Sequence, residues 1–274
     1  MSQDQNNDNW DNHWSSMHTA AGLNPAQDFR RQLLLNQLRQ LCPTDNHPLR
    51  LLDVGCGTGD FALSFQKAFP KGEYLGIDVS QVGIEICRQK VPGARFQIQD
   101  LIHPSPIDKA DQSWATVAIC SEVLEHVDHP ELILTEVQTY LAPSAVLMIT
   151  VPGGPMSAFD KHIGHRQHFS IPGLKSLLEE SGYSQCKVWG GGFPFFNLYR
   201  LVVILRGQKL VDDASQAGKP MSLAARMVMS LFGILFRLNL NRSTLGWQRF
   251  AVSVYKPSSL SEPNGTLDNP PTAP

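Results

Sequence analysis

Short apolar runs alternate with stretches of helical periodicity along most of the chain. The first half gives strand, helix, strand, helix and strand, and two continuous apolar runs follow at 114–121 and 145–151. Strands that are apolar on both faces are typical of a parallel sheet covered on each side by helices. The pattern therefore predicts an α/β fold with a Rossmann-like, doubly wound sheet. The elements predicted for the first half are 49–55, 60–69, 74–79, 81–90 and 94–100.

Capping residues and prolines predict further helices. Asn24 and Pro25 form a cap followed by proline at the first helical position, and predict a helix to Leu41. Two more helices are predicted at 129–141 and 172–181, each near a proline. Short apolar runs at 186–189 and 249–255 complete the predicted set as strands.

Composition changes mark the ends of the domain, which we place at 24–256. Residues 1–23 are polar and predict a flexible N-terminal arm, and residues 257–274 are rich in Pro, Ser and Asn and predict a disordered tail. Within the domain, 191–245 reads as an apolar helical insertion. Its two apolar runs are shorter than the ~20 residues of a membrane span and are interrupted by arginines. The apolar surface of the insertion is therefore expected to be buried, either as the cover of a substrate pocket or against a lipid surface, an apolar acceptor or a partner subunit.

Length, charge and cysteine usage narrow the class of protein. A chain of 274 residues with 42% hydrophobic content suits one decorated domain, and a net charge of −2 disfavours nucleic-acid partners. The five cysteines are odd in number and form no CxxC pair, which favours reduced thiols and a cytoplasmic protein. The polar first twenty residues do not resemble a signal peptide. We predict a cytoplasmic protein, with peripheral membrane contact through 193–240 as an open alternative.

A glycine-rich loop follows the first strand and is flanked by acids. Glycines alternate at 55, 57 and 59 after Asp53, and Asp78 ends the second strand. Alternating glycines let the backbone turn sharply and approach a ligand, and a carboxylate at the next strand end can accept hydrogen bonds from ribose hydroxyls. The loop therefore predicts a nucleoside cofactor.

The charge of the loop favours one cofactor over another. Asp60 occupies the place of the last small residue in a dinucleotide fingerprint, where a carboxylate disfavours an anionic pyrophosphate. Asp53 adds negative charge. This setting suits S-adenosylmethionine, which carries an ammonium and a sulfonium.

Four motifs in order resemble those of class I S-adenosylmethionine-dependent methyltransferases, in the group that includes ubiquinone-biosynthesis-type enzymes. They are LLDVGCGTGD, YLGIDVS, FQIQDL and CSEVLEHV, and the resemblance covers about 49–190. It implies a seven-stranded, mostly parallel sheet with an antiparallel edge pair. It also implies a lid formed by Trp14 over the cofactor. The other implied cofactor contacts are Asp53, Gly55, Gly57, Gly59, Asp78, Val79, Asp100, Leu101 and Cys120.

The acceptor chemistry is predicted from histidines that follow strand ends. A hydroxyl must lose its proton as it attacks, and histidine is suited to accept it near neutral pH. His126 and the loop holding Asp160 and His165 are the candidates. In the loop, His168 stands where the similar family often has arginine, which puts contact with an acidic substrate in doubt.

The ExxEH spacing admits a metal interpretation that we do not favour. Some O-methyltransferases with this motif hold a divalent ion, which here would involve Glu122, Glu125 and His126 with His165 or His168. A structural zinc site in the histidine loop is less favoured, because no cysteine completes a tetrahedral set.

Three functional hypotheses remain at this point. The first is an S-adenosylmethionine-dependent methyltransferase that methylates an oxygen of a small, apolar or lipid-like acceptor. The second is an NAD-dependent oxidoreductase with a similar sheet, which Asp60 opposes. The third is a non-catalytic, cofactor-binding partner subunit whose apolar insertion docks another chain.

Overall fold

Seven strands and nine helices are present in the part of the chain described by the structure, a computed structural model covering residues 10–21, 24–41, 49–215 and 223–257. The strands are β1 (Arg50–Val54), β2 (Glu73–Asp78), β3 (Arg95–Ile98), β4 (Ala115–Ser121), β5 (Leu141–Pro152), β6 (Tyr183–Gly191) and β7 (Gln248–Tyr255). The helices are α1 (Trp10–Ala21), α2 (Pro25–Leu41), α3 (Asp60–Ala68), α4 (Gln81–Lys90), α5 (Pro130–Val137), α6 (Ala158–His162), α7 (Ile171–Glu180), α8 (Phe195–Ser215) and α9 (Leu223–Leu235).

The strands form one sheet in the order β3-β2-β1-β4-β5-β7-β6. Strands β1 to β5 are parallel, and β7 runs antiparallel between β5 and β6. The chain turns in opposite directions from β1, to β2 on one side and to β4 on the other. Ligands of such sheets bind in the crevice beyond the carboxyl ends of the strands at this switch point. The predicted fold class is therefore confirmed.

The sheet separates two hydrophobic clusters. One holds Leu52, Leu75 and Leu147 with helices α5 and α7, and the other holds Leu51, Phe65 and further residues of α2, α3 and α4. Alternate residues of β1 thus face opposite clusters, as the pleat requires. A third, aromatic cluster joins the insertion to α2. Its buried members are Ala26, Phe29, Phe196, Phe232 and Phe236.

Caps set several helix starts. The Asn24 side chain accepts from the Ala26 N–H at 2.9 Å, and Ser80 and Ser170 cap α4 and α7 in the same way, three residues on. Ser157 and Asp160 form a reciprocal capping box at α6. These local bonds fix where the loops at the carboxyl ends of the strands leave the sheet.

Several boundaries differ from the sequence predictions. Residues 10–21 of the predicted flexible arm form α1, because this segment gains tertiary contacts with α4. The helix predicted to reach residue 141 ends at Val137 and continues as a 3₁₀ turn, since Leu141 already pairs with β4. The predicted disordered tail lies almost wholly outside the described residues. No helix in the described segments is both long and apolar enough to span a bilayer.

Candidate active site

The glycine loop is held to the next strand by Asp78. The Gly57 N–H donates to Asp78 Oδ2 at 2.8 Å, and the Ser80 N–H donates to Oδ1 at 2.9 Å. Gly57 has φ +54°, and a Cβ there would lie 2.8 Å from the Trp14 ring. Any other residue would have a strained backbone at this positive φ and would clash with Trp14, so only glycine fits this position.

Two buried carboxylates lie at the carboxyl ends of β1 and β2. Burial raises the pKa of Asp53 to about 7, although the Tyr74 hydroxyl, which donates to Asp53, acts in the opposite direction. Burial likewise raises the pKa of Asp78 to about 6, against the effect of its backbone N–H donors. A neighbouring cation would lower both pKa values and stabilise the ionised forms. The site is therefore suited to a positively charged ligand.

A cavity of about 400 Å³ opens beside Asp78. Asp78 and Val79 line it together with Asp100 and Leu101, four of the predicted cofactor contacts. Asp100 accepts from the Ile102 N–H at 2.7 Å, and its hydrogen bonds outweigh burial to lower its pKa. The remaining walls of this cofactor cavity come from the carboxyl ends of β1 to β3 and from the loop after β4.

A second cavity of about 290 Å³ lies beyond Asp53. Its lining includes Phe159, Phe196, Tyr199 and Trp247, together with arginines from α2 and α8. We call it the acceptor cavity. The two cavities share the lining residues Trp10, Trp14, Gly55, Glu122 and His126.

Helix α1 lies over the glycine loop as a lid. Trp14 lies against Gly57, and a Cβ on Gly83 would stand 3.2 Å from its ring. Asp11 fixes the helix by accepting from Ser80 Oγ at 2.5 Å and from the Val82 N–H at 3.1 Å. The lid thus joins the first turn of α4, next to Asp78. Trp14 lines both cavities, and its role as a lid over the cofactor stays a prediction.

His126 lies where the two cavities meet. Its ring makes edge contacts with Trp10 and His165, with ring centroids 4.8 and 4.7 Å away. It belongs to a 3₁₀ turn, Leu124–His126, directly after β4. Because the turn follows a strand end at the switch point, His126 is presented between the cofactor cavity and the acceptor cavity.

A chain of hydrogen bonds sets the tautomer of His165. The Gly154 carbonyl can only accept, so His168 Nδ1, 3.1 Å away, donates to it. Burial lowers the pKa of His168, whose neutral Nε2 then accepts from His165 Nδ1 at 3.2 Å. Burial and the neighbouring His126 lower the pKa of His165 to about 3. His165 is therefore neutral, with a lone pair on Nε2.

That lone pair faces Glu125. The distance from His165 Nε2 to Glu125 Oε1 is 4.0 Å, and neither carboxyl oxygen of Glu125 has a hydrogen-bond partner among the residues that the structure describes. Complete burial, and to a smaller extent repulsion from Glu122, raises the pKa of Glu125 well above its ordinary value. A carboxyl group whose neutral form is favoured by burial therefore stands beside His165.

Asp160 is engaged in structural contacts. Arg200 donates to its two oxygens at 2.8 and 2.6 Å, and the Ser157 N–H donates to Oδ2 at 2.7 Å. Burial would raise the pKa of Asp160, but the hydrogen bonds and charge of Arg200 outweigh it and lower the pKa to about 2. A carboxylate held in this way is a poor proton acceptor near neutral pH, although it lies where the sequence placed it, in the acceptor cavity.

Two groups of side chains fit the donor set of a divalent ion. Glu125, His126 and His165 place ligand atoms within 4.8 Å of one another, and so do Asp160, His165 and His168. Glu122 belongs to neither group among the described residues. It pairs instead with Arg30 at 3.4 Å and accepts from Gln248 at 2.9 Å. Of the residues named for a metal site from the sequence, Glu125 and His126 therefore lie together with His165, whereas Glu122 does not join them.

Three predicted cofactor residues, Gly57, Gly59 and Cys120, do not line either cavity. Cys120 is buried in the core beneath β4, and burial raises the pKa of its thiol well above its ordinary value. Gly57 and Gly59 pack closely against Trp14 and Cys87, and Gly55 lines both cavities. The strand-end position of Cys120 is as predicted, but its side chain points into the sheet's covering cluster because of the pleat.

Sequence reasoning missed several residues of the acceptor cavity. They are Trp10, Arg30, Tyr199, Arg200, Trp247 and Gln248. A signal existed for Arg200, since a lone arginine inside the apolar run 193–205 calls for a buried partner. The pairing of that arginine with Asp160, 40 residues away, depends on tertiary structure.

Comparison with known proteins agrees with this site. The family described as "Methyltransferase domain" matches residues 26–187, more than half of the chain. The chain therefore belongs to this family, and its fold is that of class I S-adenosylmethionine-dependent methyltransferases. This assignment favours the first of the three hypotheses over the nicotinamide-dependent one.

Two relatives illustrate the range of the sequence similarity. A trans-aconitate 2-methyltransferase of Variovorax paradoxus is 32% identical over 104 residues, 38% of each chain. A malonyl-[acyl-carrier protein] O-methyltransferase of Halalkalibacterium halodurans is 26% identical over 153 residues, 54% of this chain and 55% of the relative. The alignments thus span about two fifths to just over half of these relatives.

A solved structure extends the comparison to the fold. Phosphoethanolamine N-methyltransferase 2 of Haemonchus contortus, in complex with S-adenosyl-L-methionine, superposes with a TM-score of 0.52 at 16% identity. The match covers 80% of this chain and 51% of that one. At this identity the likeness concerns the fold alone.

Proposed function

We propose that the protein transfers the methyl group of S-adenosylmethionine to an oxygen atom of a small, largely apolar acceptor. The observation that carries the proposal is the meeting of two cavities at Gly55 and His126. One cavity has the buried acid and strand ends expected for a nucleoside. The other is lined by aromatic side chains. A donor and an acceptor can then approach each other along one line, as a displacement reaction requires.

The cofactor side supplies binding and orientation. Asp78 is proposed to accept from the ribose hydroxyls through lone pairs left by its two N–H donors, and Val79, Asp100 and Leu101 to border the adenine. Gly55, which lines both cavities, is proposed to border the methionine moiety, and Gly57 and Gly59 allow the loop to pack tightly against Trp14 and Cys87. Asp53 lies on the acceptor side of the loop and favours the positive charge of the donor. Bound S-adenosylmethionine supplies the activated methyl group.

The acceptor side supplies a proton acceptor. We assign this role to His126 because it borders both cavities, with His165 as the adjoining alternative. The acceptor oxygen bonds to the methyl carbon as the carbon–sulfur bond breaks, and the hydroxyl proton moves to the imidazole. We assign Asp160 a positioning role, in which it holds Arg200 and the start of α6.

The lining also indicates the class of acceptor. Arg30 pairs with Glu122, and Arg200 pairs with Asp160, so both arginines are compensated by carboxylates. The uncompensated contacts come from aromatic rings, which favours an apolar acceptor with a hydroxyl group. A divalent ion held by Glu125, His126 and His165 would orient such a hydroxyl and lower its pKa. We do not favour this addition over the metal-free reaction.

A carboxylate acceptor is the second candidate. Arg30, Arg31 and Arg200 line the acceptor cavity, and the two curated relatives are named for trans-aconitate and malonyl-[acyl-carrier protein]. A carboxylate is already deprotonated, so its methylation needs no base. This difference makes the two candidates separable.

Isotope transfer tests the proposal. The full chain is incubated with S-adenosylmethionine carrying a labelled methyl group and with small-molecule and lipid extracts, and labelled products are identified by mass spectrometry. Alkaline hydrolysis then separates methyl esters from ethers. A labelled ether whose formation falls ~10²-fold in His126→Gln, while cofactor affinity is kept, supports the hydroxyl acceptor. A labelled ester formed at an unchanged rate in His126→Gln supports the carboxylate, and failure of the wild-type chain to bind the cofactor overturns both.

A further inference from the structure

Helices α8 and α9 of the insertion each have an inner face that packs against the protein and an outer face that is exposed. Their inner face contributes Phe196, Tyr199 and Val203 to the acceptor cavity and Phe232 and Phe236 to the aromatic cluster on α2. Their outer face exposes aliphatic side chains. The most exposed are Leu205 at 76%, Leu223 at 73% and Met227 at 66%.

Four of the five exposed apolar residues of α9 form one stripe, and Val228, which is 46% exposed, lies outside it. Leu223, Met227, Leu231 and Ile234 are all exposed, and at 3.6 residues per turn they fall within an arc of about 80°. Phe232 lies roughly opposite and is buried. An apolar arc that faces away from the core is typical of a helix that contacts another apolar phase.

Helix α8 repeats this arrangement. Its residues Leu198, Leu201, Val202 and Leu205 are exposed and fall within an arc of about 100°. The two helices contact each other. Leu238, Leu240 and Leu245, just after α9, are exposed as well. The exposed aliphatic surface is therefore much larger than a scatter of single residues.

The charge of this segment differs from that of the rest of the chain. Residues 195–245 contain seven lysines and arginines and two aspartates, a net charge of +5. The whole chain carries −2, which leaves −7 for the remainder. Arg206, Lys209, Arg226 and Arg237 are exposed within the segment. Basic residues are thus concentrated beside the exposed aliphatic side chains.

We propose that the outer face of α8 and α9 docks on an anionic lipid bilayer. Aliphatic residues enter the interface between headgroups and acyl chains, and the adjoining basic residues meet the negative surface potential. Protein interfaces are enriched in aromatic residues, methionine and arginine at their centre, whereas the exposed apolar residues named here are mostly leucine, with one methionine, one isoleucine and two valines. Net positive charge also opposes pairing of this face with a second copy of itself. The occupant is therefore lipid.

The role of the docking in catalysis rests on the proposed function, because it assumes that the protein methylates an apolar acceptor. The helices that would touch lipid also supply part of the acceptor cavity wall, so an apolar acceptor has a short path from the bilayer to the site. The docking itself is a separate property and is measured without turnover.

Vesicle flotation tests the proposal with the full chain. Vesicles of phosphatidylcholine alone are compared with vesicles that contain 30% phosphatidylglycerol, at two salt concentrations. The apolar variant is Leu205→Gln with Met227→Gln and Ile234→Gln, and the charge variant is Arg226→Glu with Arg237→Glu. Matched controls replace Leu132, which is exposed on α5, by Gln and Lys109 by Glu. Cofactor affinity of each variant reports whether it is folded.

The expected result is binding to the anionic vesicles that weakens about tenfold or more in both variants and in high salt, with unchanged binding in the controls. No binding of the wild-type chain overturns the proposal. So does equal binding to neutral vesicles, or dimerisation that the apolar variant abolishes. If the wild-type chain floats with anionic vesicles but binds no cofactor, the docking stands and the proposed function fails.

Discussion

Replacing Asp78 by asparagine separates the charge of this residue from its hydrogen bonds. The Asp78 oxygens accept from the N–H groups of Gly57 and Ser80, so alanine would leave both donors without partners and disturb the loop. Asparagine retains one acceptor oxygen and close to the same shape. A hydrogen bond involving a charged group contributes about 1.5–3 kcal/mol. At pH 7.5 we therefore expect Asp78→Asn to bind S-adenosylmethionine about 10- to 150-fold more weakly.

The pH dependence sharpens this prediction. Burial raises the pKa of Asp78 to about 6, so at pH 5 only about one tenth of it is ionised in the free protein. If the ionised form binds the cofactor, wild-type affinity falls about tenfold from pH 7.5 to pH 5 through this group. The asparagine variant lacks this change. The ratio of the two affinities should therefore shrink by about the same factor, because effects on the cofactor's own charge cancel.

Stability of the free protein should change in the opposite direction. The folded pKa is above the unfolded value of 3.8, so the folded state binds more protons between pH 4 and 6, and stability from this group falls as the pH rises. Between pH 4 and pH 7.5 the stability of Asp78→Asn relative to the wild-type chain should consequently rise by up to about 3 kcal/mol, because the variant lacks this titration. Thermal unfolding without cofactor measures this effect.

Isothermal titration calorimetry at several pH values measures the affinities. Asp108→Asn, the same chemical change on an exposed loop, is the matched control and should bind like the wild-type chain. An affinity ratio that stays constant from pH 5 to 7.5 would refute the role of the ionised carboxylate. Equal affinities at pH 7.5 would show that Asp78 does not contact the cofactor.

Three further predictions test the lid, the metal and the core. Asp11→Asn weakens the tie between α1 and Ser80, so cofactor dissociation measured by stopped flow should become faster, and an unchanged rate would argue against a lid. If no metal takes part, activity should survive a chelator, and Glu125→Gln should keep the affinity for added Mn²⁺ unchanged; loss of activity on chelation would restore the metal interpretation. Phe65→Ala should lower the free energy of unfolding by about 3–5 kcal/mol in denaturant titrations, because Phe65 is fully buried against Phe69 and Tyr74. The control Leu132→Ala, on the exposed side of α5, should lower it far less.

The glycine loop and its acids could be recognised from the sequence because their chemistry is local. Asp53 and the glycines lie within seven residues, and Asp78 ends the next strand, so topology alone brings them to one edge of the sheet. The structure placed Gly55, Asp78, Asp100 and Leu101 around the cofactor cavity and Asp53 beside the acceptor cavity. Cys120 shows the limit of this reasoning, since its side chain occupies the core.

The acceptor side was harder to predict because its contacts join distant segments. Arg30 of α2 meets Glu122 after β4, and Arg200 of α8 meets Asp160 after β5. Neither pair has a spacing that marks it in the sequence. The hydrogen-bond chain from Gly154 through His168 to His165 likewise depends on how two loops fold together. The chemical state of His165 follows from burial, which no motif records.

By itself, the sequence determined the alternation of strands and helices, the glycine loop, the acids that follow β1 and β2, and the histidines after later strands. These features depend on backbone periodicity and on residues close together in the chain. Only the tertiary structure decided which histidine borders both cavities, which carboxylates are held by arginines, and which face of α8 and α9 is exposed. Such properties arise from burial and from packing between elements far apart in sequence, and so they exist only once the chain has folded.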